Sequence, residues 1–137
     1  MDFRETTVAE LAARVRAKEV AARELTQAAL ERIEALNPQV NAFVAVDGEA
    51  ALRDAAAVDE LVAAGEDPGP LAGIPIGVKD LEDAAGFVTS MGSATRAGDR
   101  PASADSILVS RLRAAGCVVV GKTNTPEFGF KGATENP

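Results

Sequence analysis

The sequence predicts an α/β fold in which N-terminal helices give way to strands of a mixed sheet with packing helices. Three observations carry that expectation. Apolar residues recur at helical spacing through much of the stretch up to Gly65, and β-rich apolar runs then appear at Ile74 to Lys79 and Cys117 to Val120. A helical stretch feeds directly into the second run, the alternation that builds α/β layers.

Each element has its own signal. Thr7 and Glu10 stand at capping-box spacing, and Val8, Leu11, Ala12 and Val15 follow on one helical face. A second helix is predicted from about Ala22 to Leu36, with Leu25, Ala28, Ala29, Ile33 and Leu36 as its apolar stripe. It is expected to stop at Asn37-Pro38, because proline lacks the N–H that would continue the ladder. Asn41 to Val46 reads as a short strand, and the alanine-rich run Glu49 to Ala64 as a third helix closed by Gly65. Gly65 to Gly73, carrying Pro68 and Pro70, reads as a surface connection. Ile74 to Lys79 is β-branched, and Phe87-Val88-Thr89 is a further short strand candidate. A helix from about Ala104 to Ala115 ends at Gly116, and Cys117 to Val120 has the near-continuous apolar character of a strand covered on both faces.

Composition narrows the function. The chain has 137 residues, the size of one domain, with 47% hydrophobic and 26% charged residues, as in ordinary globular proteins. Its net charge of −7 argues against direct binding of nucleic acid, which rests on clustered Lys and Arg. The apolar runs are far shorter than the ~20 residues a bilayer span needs, and the start MDFRETTVAEL holds no apolar signal stretch. No membrane partner and a cytoplasmic location are therefore expected. Cys117 is the single cysteine, so no internal disulfide forms, and beside Val118, Val119 and Val120 it reads as a small buried hydrophobe. With no histidine, neither a Ser-His-Asp nor a Cys-His pair can be built. No cofactor or metal is expected either, because no cluster of ligating residues has the spacing of a metal site. Lysine becomes the residue type to follow.

Gly116 to Thr123 satisfies the phosphate-loop pattern G-x-x-x-x-G-K-T letter for letter. Against that reading, the four intervening positions are themselves the strand, and Pro126 follows Lys122 too soon for the helix that must begin at Lys-Thr. Lys79 is the stronger candidate. It ends the apolar run Ile74-Pro-Ile-Gly-Val78, where an ammonium would lose the hydration that favours its charge. Local context leaves open a plainer role, in which a strand-end lysine reaches to water or pairs with Asp80.

Four blocks go further: Gly69 to Leu81, Ser90-Met-Gly-Ser93, Ser110 to Gly129 with its Gly-Lys-Thr-Asn-Thr-Pro-Glu-Phe-Gly close, and Thr134-Glu-Asn-Pro137. In content and order they resemble the amidase-signature family, and the helices and the Leu36-Asn-Pro…Val40-Asn-Ala-Phe43 segment ahead of them do too. The resemblance implies a Ser–cis-Ser–Lys triad in which the lysine matching Lys79 is the catalytic base on a bridging serine. That serine deprotonates the nucleophile, backbone N–H groups hold the oxyanion, and an acyl-enzyme forms and is hydrolysed. By the same likeness Gly129 is a substrate contact. Asp80 and Asn124 match the blocks but are read as fixing strand and loop geometry.

The glycine-rich block that holds the bridging serine and the segment that holds the nucleophile should follow Pro137. Ser90, Ser93, Ser103, Ser106 and Ser110 lack that setting and read as loop and cap residues. Residues 1–137 are thus expected to be the N-terminal part of a single domain, with a helical lead over 1–65 and the start of the α/β core over 70–137. The fold would be an incomplete amidase-signature fold, inactive alone. The implied activity is hydrolysis of a small-molecule carboxylic amide to acid and ammonia or amine, with a homodimer of the full-length protein as the expected assembly. Two rivals stand beside it. One is the glutamine-hydrolysing A subunit of a tRNA-dependent amidotransferase, and the other is a non-catalytic remnant or interaction module.

Overall fold

The computed structural model describes residues 3–134, so Glu135 to Pro137 of the last resembling block lie outside the described residues. Helix α1 spans Val8–Arg16 and opens on the expected capping box: Thr7 Oγ1 accepts the Glu10 N–H, and the Glu10 carboxylate accepts the Thr7 N–H at 2.8 Å. Leu11, Ala12 and Val15 are buried, while Val8 at the start of the stripe is exposed.

Helix α2 runs over Ala22–Val40, past the predicted stop. Pro38 lies inside its last turn, where the carbonyl it leaves unbonded belongs to exposed Glu34 and can face water. The Asn37 side chain holds the turn in place, its amide bridging both the N–H and the C=O of Phe43 at 2.7 and 2.9 Å. Asn41, in the left-handed region, ends the helix instead. The start of α2 is capped from outside, because Asp59 accepts the N–H groups of Ala22 and Arg23. Asp59 belongs to helix α3, Gly48–Ala64, which Asp47 caps and Gly65 closes as expected.

Three strands form one sheet in the order β1, β3, β2: β1 is Phe43–Val46, β2 is Pro75–Lys79 and β3 is Val118–Thr123. β1 pairs with β3 antiparallel and β2 with β3 parallel, so the sheet is mixed. Helices α1 to α3 cover one face through Leu11, Val15, Leu25, Ala55, Val58 and Val62, which meet Ile74, Val118 and Val120. A second cluster joins Val78 and Val119 to Phe87 and to Val109 of the fourth helix, α4, Ile107–Ala114. β3 is therefore covered on both faces, as its apolar run predicts.

Two expectations shift here. α4 begins at Ile107 rather than near Ala104, because the Ser106 hydroxyl accepts the Val109 N–H and sets the first turn. Phe87 to Thr89 is a loop rather than a strand. The Phe87 N–H closes a local turn onto the Ala84 carbonyl, and the Val88 carbonyl is taken by a lysine side chain instead of a neighbouring strand. Gly116 joins α4 to β3 at φ +96°, where an added Cβ would fall 2.5 Å from the Pro68 carbonyl oxygen.

Candidate active site

The site is built where β2 and β3 end side by side. β3 carries one residue more than β2 across their pairing: Ile76 faces Val119 and Gly77 faces Gly121, which leaves Val120 unmatched as a bulge. A bulge reverses the alternation beyond it. Lys122 thus pairs with Val78 and shares the face of Val78 and Val119, instead of continuing the helix-covered face of Val118 and Val120. Gly121 is required beside the bulge, since a Cβ there would lie 2.2 Å from the Ala45 carbonyl oxygen of β1.

Lys122 is 0% exposed, and its ammonium donates three times: to Asp80 Oδ1 at 3.0 Å, to Thr89 Oγ1 at 3.0 Å and to the Val88 carbonyl at 3.3 Å. That uses its full complement of protons. Asp80, 1% exposed, is held in turn by the Ser90 N–H at 3.2 Å and by the Ser90 hydroxyl, and its own N–H donates to the Thr123 carbonyl at 2.9 Å. The buried pair thereby ties the end of β2, the end of β3 and the 88–90 loop together. It also disposes of the phosphate-loop reading: Gly121, Lys122 and Thr123 are strand, and the lysine faces a carboxylate inside the protein.

Lys79, one rung beyond, points to the opposite face and is exposed. The apolar run before it does not desolvate it, because its neighbours Ile74 and Val78 are buried while the alternating position is not. Nor does it pair with Asp80. Among the described residues its ammonium has no hydrogen-bond or ion-pair partner.

Beyond the carboxyl end of β3 lies an open groove of about 690 Å³. Ser90, Ser93, Asn124, Glu127, Phe128 and Phe130 contribute to its walls. The groove is shaped by two non-glycine residues in the left-handed region, Met91 at φ +55° and Phe128 at φ +51°, joined by a hydrogen bond from the Phe128 N–H to the Met91 carbonyl at 2.7 Å. Each such conformation costs on the order of 1–3 kcal/mol and persists only where surrounding contacts impose it. Here the Ser93 hydroxyl donates to Glu127 Oε1 at 2.7 Å and closes the same loop pair. Gly129, in the 3-10 turn Glu127–Gly129, packs toward Leu81, whose Cδ1 would lie 2.7 Å from an added Cβ. Neither Lys79 nor Gly129 is part of the groove wall.

Of the other serines, Ser106 caps α4 and Ser103 is an exposed loop residue, as read from sequence, whereas Ser110 sits inside α4 rather than in a loop or cap; Ser90 and Ser93 do more by fixing Asp80 and Glu127. Asn124 fixes geometry as expected, donating to the Asn41 carbonyl at 3.1 Å and accepting the Thr125 N–H at 2.9 Å. Among the described residues no three His, Cys, Asp or Glu side chains converge to hold a metal. The residue that sequence reasoning set aside is Lys122. Two signals could have found it: a glycine inside a strand marks a bulge, and a lysine in a buried run requires an acid nearby.

The Amidase family pattern matches residues 24–137. This chain belongs to the amidase family, and its signature blocks are those of the amidase-signature enzymes. It is 50% identical over 134 residues to the A subunit of the glutamyl-tRNA(Gln) amidotransferase of Salinispora arenicola, covering 98% of this chain and 27% of the relative. It is 42% identical to an acylamidase of Rhodococcus erythropolis, covering 93% of this chain and 26% of that one. Among solved structures, the peptide amidase of Stenotrophomonas maltophilia superposes with a TM-score of 0.83 at 46% identity, over 90% of this chain and 26% of that one. A bacterial aryl acylamidase of the amidase-signature family superposes with a TM-score of 0.89 at 30% identity, over 96% and 27%. The chain spans about a quarter of the length of these amidases and related proteins. No helix among the described residues is long and apolar enough to cross a membrane.

Proposed function

We propose that this amidase chain contributes the general base to hydrolysis of a carboxylic amide, releasing acid and ammonia or amine. The observation that carries the reading is Lys79: an exposed lysine without a partner among the described residues, at the carboxyl end of a parallel strand. In open α/β sheets reactive groups gather at that end of the strands. A lysine serves as base only as its neutral amine. In that form it takes the proton of a bridging serine, which takes the proton of a nucleophilic serine as that oxygen attacks the carbonyl carbon. The amine leaves protonated, and water then releases the acid from the acyl-enzyme. Family resemblance assigns both serines to segments following Pro137 and makes Gly129 a substrate contact. We further propose a cytoplasmic protein that acts on a small-molecule amide as a homodimer, without nucleic acid or membrane.

In the protein as its gene encodes it, Lys79→Ala should lower kcat for amide hydrolysis by about 100-fold or more and leave KM nearly unchanged, because proton transfer matters in the transition state. Turnover within about twofold of wild type would reject the base role, that being far less than general-base removal costs. A second reading is favoured by the 50% identity to the A chain of an amidotransferase. In it the amide is glutamine and partner proteins receive the ammonia. Glutaminase activity that rises when such partners are added would select it.

A further inference from the structure

Building on Lys79 as the base, we infer that the buried Asp80–Lys122 pair, with Ser90, is a positioning device for that lysine. Asp80 follows Lys79 directly, so whatever fixes Asp80 fixes the last peptide of β2 and the origin of the Lys79 side chain. Four interactions converge on Asp80: the Lys122 ammonium, the N–H and hydroxyl of Ser90, and the Thr123 carbonyl that receives its own N–H. The Lys79 carbonyl is held as well, accepting the Glu82 N–H at 2.9 Å. Lys122 meanwhile grips Val88 and Thr89, and Ser90 stands both in this cluster and in the wall of the groove. The pair therefore sets where the last peptide of β2, from which Lys79 extends, stands relative to β3 and the 88–90 loop.

Charge alone does not explain such a pair. Buried ion pairs are commonly no more stabilising than apolar replacements, so their use often lies in specifying one arrangement. Here three segments must meet in one register, and a neighbouring bulge turns Lys122 toward them. A displacement of about 1 Å in a reacting group can cost on the order of 100-fold in rate, which is the effect this device prevents.

The test uses the protein as its gene encodes it. Lys122→Met alone leaves Asp80 buried and unpaired, so the informative variant is Asp80→Asn/Lys122→Met, which removes both charges and keeps their volumes. Its thermal midpoint should return close to wild type while kcat stays down by at least about tenfold, within the range that misplacement produces, and KM is little changed. Recovery of both stability and kcat would overturn the inference, since the pair would then be only a packing unit. If the double variant does not fold, Ser90→Ala keeps the question open to measurement: a kcat loss at unchanged KM supports the device, and an unchanged kcat refutes it.

An independent readout is reductive methylation with 13C-formaldehyde, following the Lys79 dimethylamino signal by NMR and assigning it with Lys79→Arg. In the charge-free double variant the chemical shift of the Lys79 signal should move while those of Lys18 and Lys131 stay. An unmoved Lys79 signal would refute positioning whether or not amide turnover is found. The base role fails separately, through an active Lys79→Ala protein.

Discussion

Lys79 ends β2 and Lys122 stands one residue before the end of β3, on adjacent rungs of the parallel pair, yet they occupy opposite environments. Lys122 pairs with Val78 and so lies on the face closed by Val119, Phe87 and the 88–90 loop, where it is enclosed and fully hydrogen-bonded. Lys79 pairs with Thr123, points the other way and is exposed. The difference does not come from residue type, and both follow apolar β-branched runs. It comes from one unmatched residue, Val120, which puts the two lysines on opposite faces. The lesson is that strand phase decides which lysine is structural and which is left free for chemistry.

The sharpest way to break this contrast is to remove each lysine in turn. Lys122→Ala should destabilise the protein by about 3–5 kcal/mol, because Asp80 would remain buried without its counter-ion. Lys79→Ala should change stability by no more than about 0.5 kcal/mol, as for an exposed residue without contacts to lose. Urea unfolding monitored by circular dichroism measures both, and comparable losses would erase the distinction.

The next test acts on the bulge itself. Gly121→Ala places a methyl 2.2 Å from the Ala45 carbonyl oxygen, which cannot swing aside as a side chain could. A loss of about 1–3 kcal/mol is expected from such overpacking. Gly98→Ala, with nothing within 4 Å of its added Cβ, serves as the neutral control in the same unfolding assay.

Much of this architecture can be read from the chain before its structure is known. The capping box of Thr7 and Glu10, the closure of α3 at Gly65 and the double-sided burial of Cys117 to Val120 all follow from local rules. What escaped those rules depends on partners distant in sequence. Pro38 does not end α2 because Asn37 is bound to Phe43, and Phe87 to Thr89 do not form a strand because Lys122 takes the backbone carbonyl of Val88. The candidate site divides in the same way. Lys79 was legible as a strand-end lysine within a family block, but its exposure was not, since an apolar run does not reveal which face alternation will leave open. Lys122 was visible only as part of a misleading phosphate-loop pattern. Its role depends on a bulge that no spacing in one strand can display, because a bulge is a property of two.

Smaller effects refine the picture of the buried side. Ser90→Ala removes one hydrogen bond to the Asp80 carboxylate and should cost about 1.5 kcal/mol, the low end for a bond to a charged group. A loss below about 0.3 kcal/mol in the same urea titration, well short of what such a bond contributes, would mean that Asp80 is held without the Ser90 hydroxyl.

The smallest expected effect is a pH dependence at the entrance to β3. Burial pushes the Cys117 thiol above its ordinary pKa, so the folded protein holds that proton more tightly than the unfolded chain does. The thiol's contribution is complete below the ordinary thiol pKa and is lost as pH rises through the raised one. The alkaline decline of the urea midpoint should therefore be steeper in wild type than in Cys117→Ala. Equal slopes would show that the Cys117 thiol is less enclosed than its place beside Val118 implies.

The contrast between the two strand-end lysines is tested most directly by competitive labelling of the native protein with a limiting amine-reactive reagent, followed by peptide mass spectrometry. Lys79 should react at least as fast as Lys18, while Lys122 should stay unlabelled until the protein is unfolded in urea. Rapid native labelling of Lys122, or protection of Lys79 equal to that of Lys122, would contradict the assignment of one lysine to the framework and the other to chemistry.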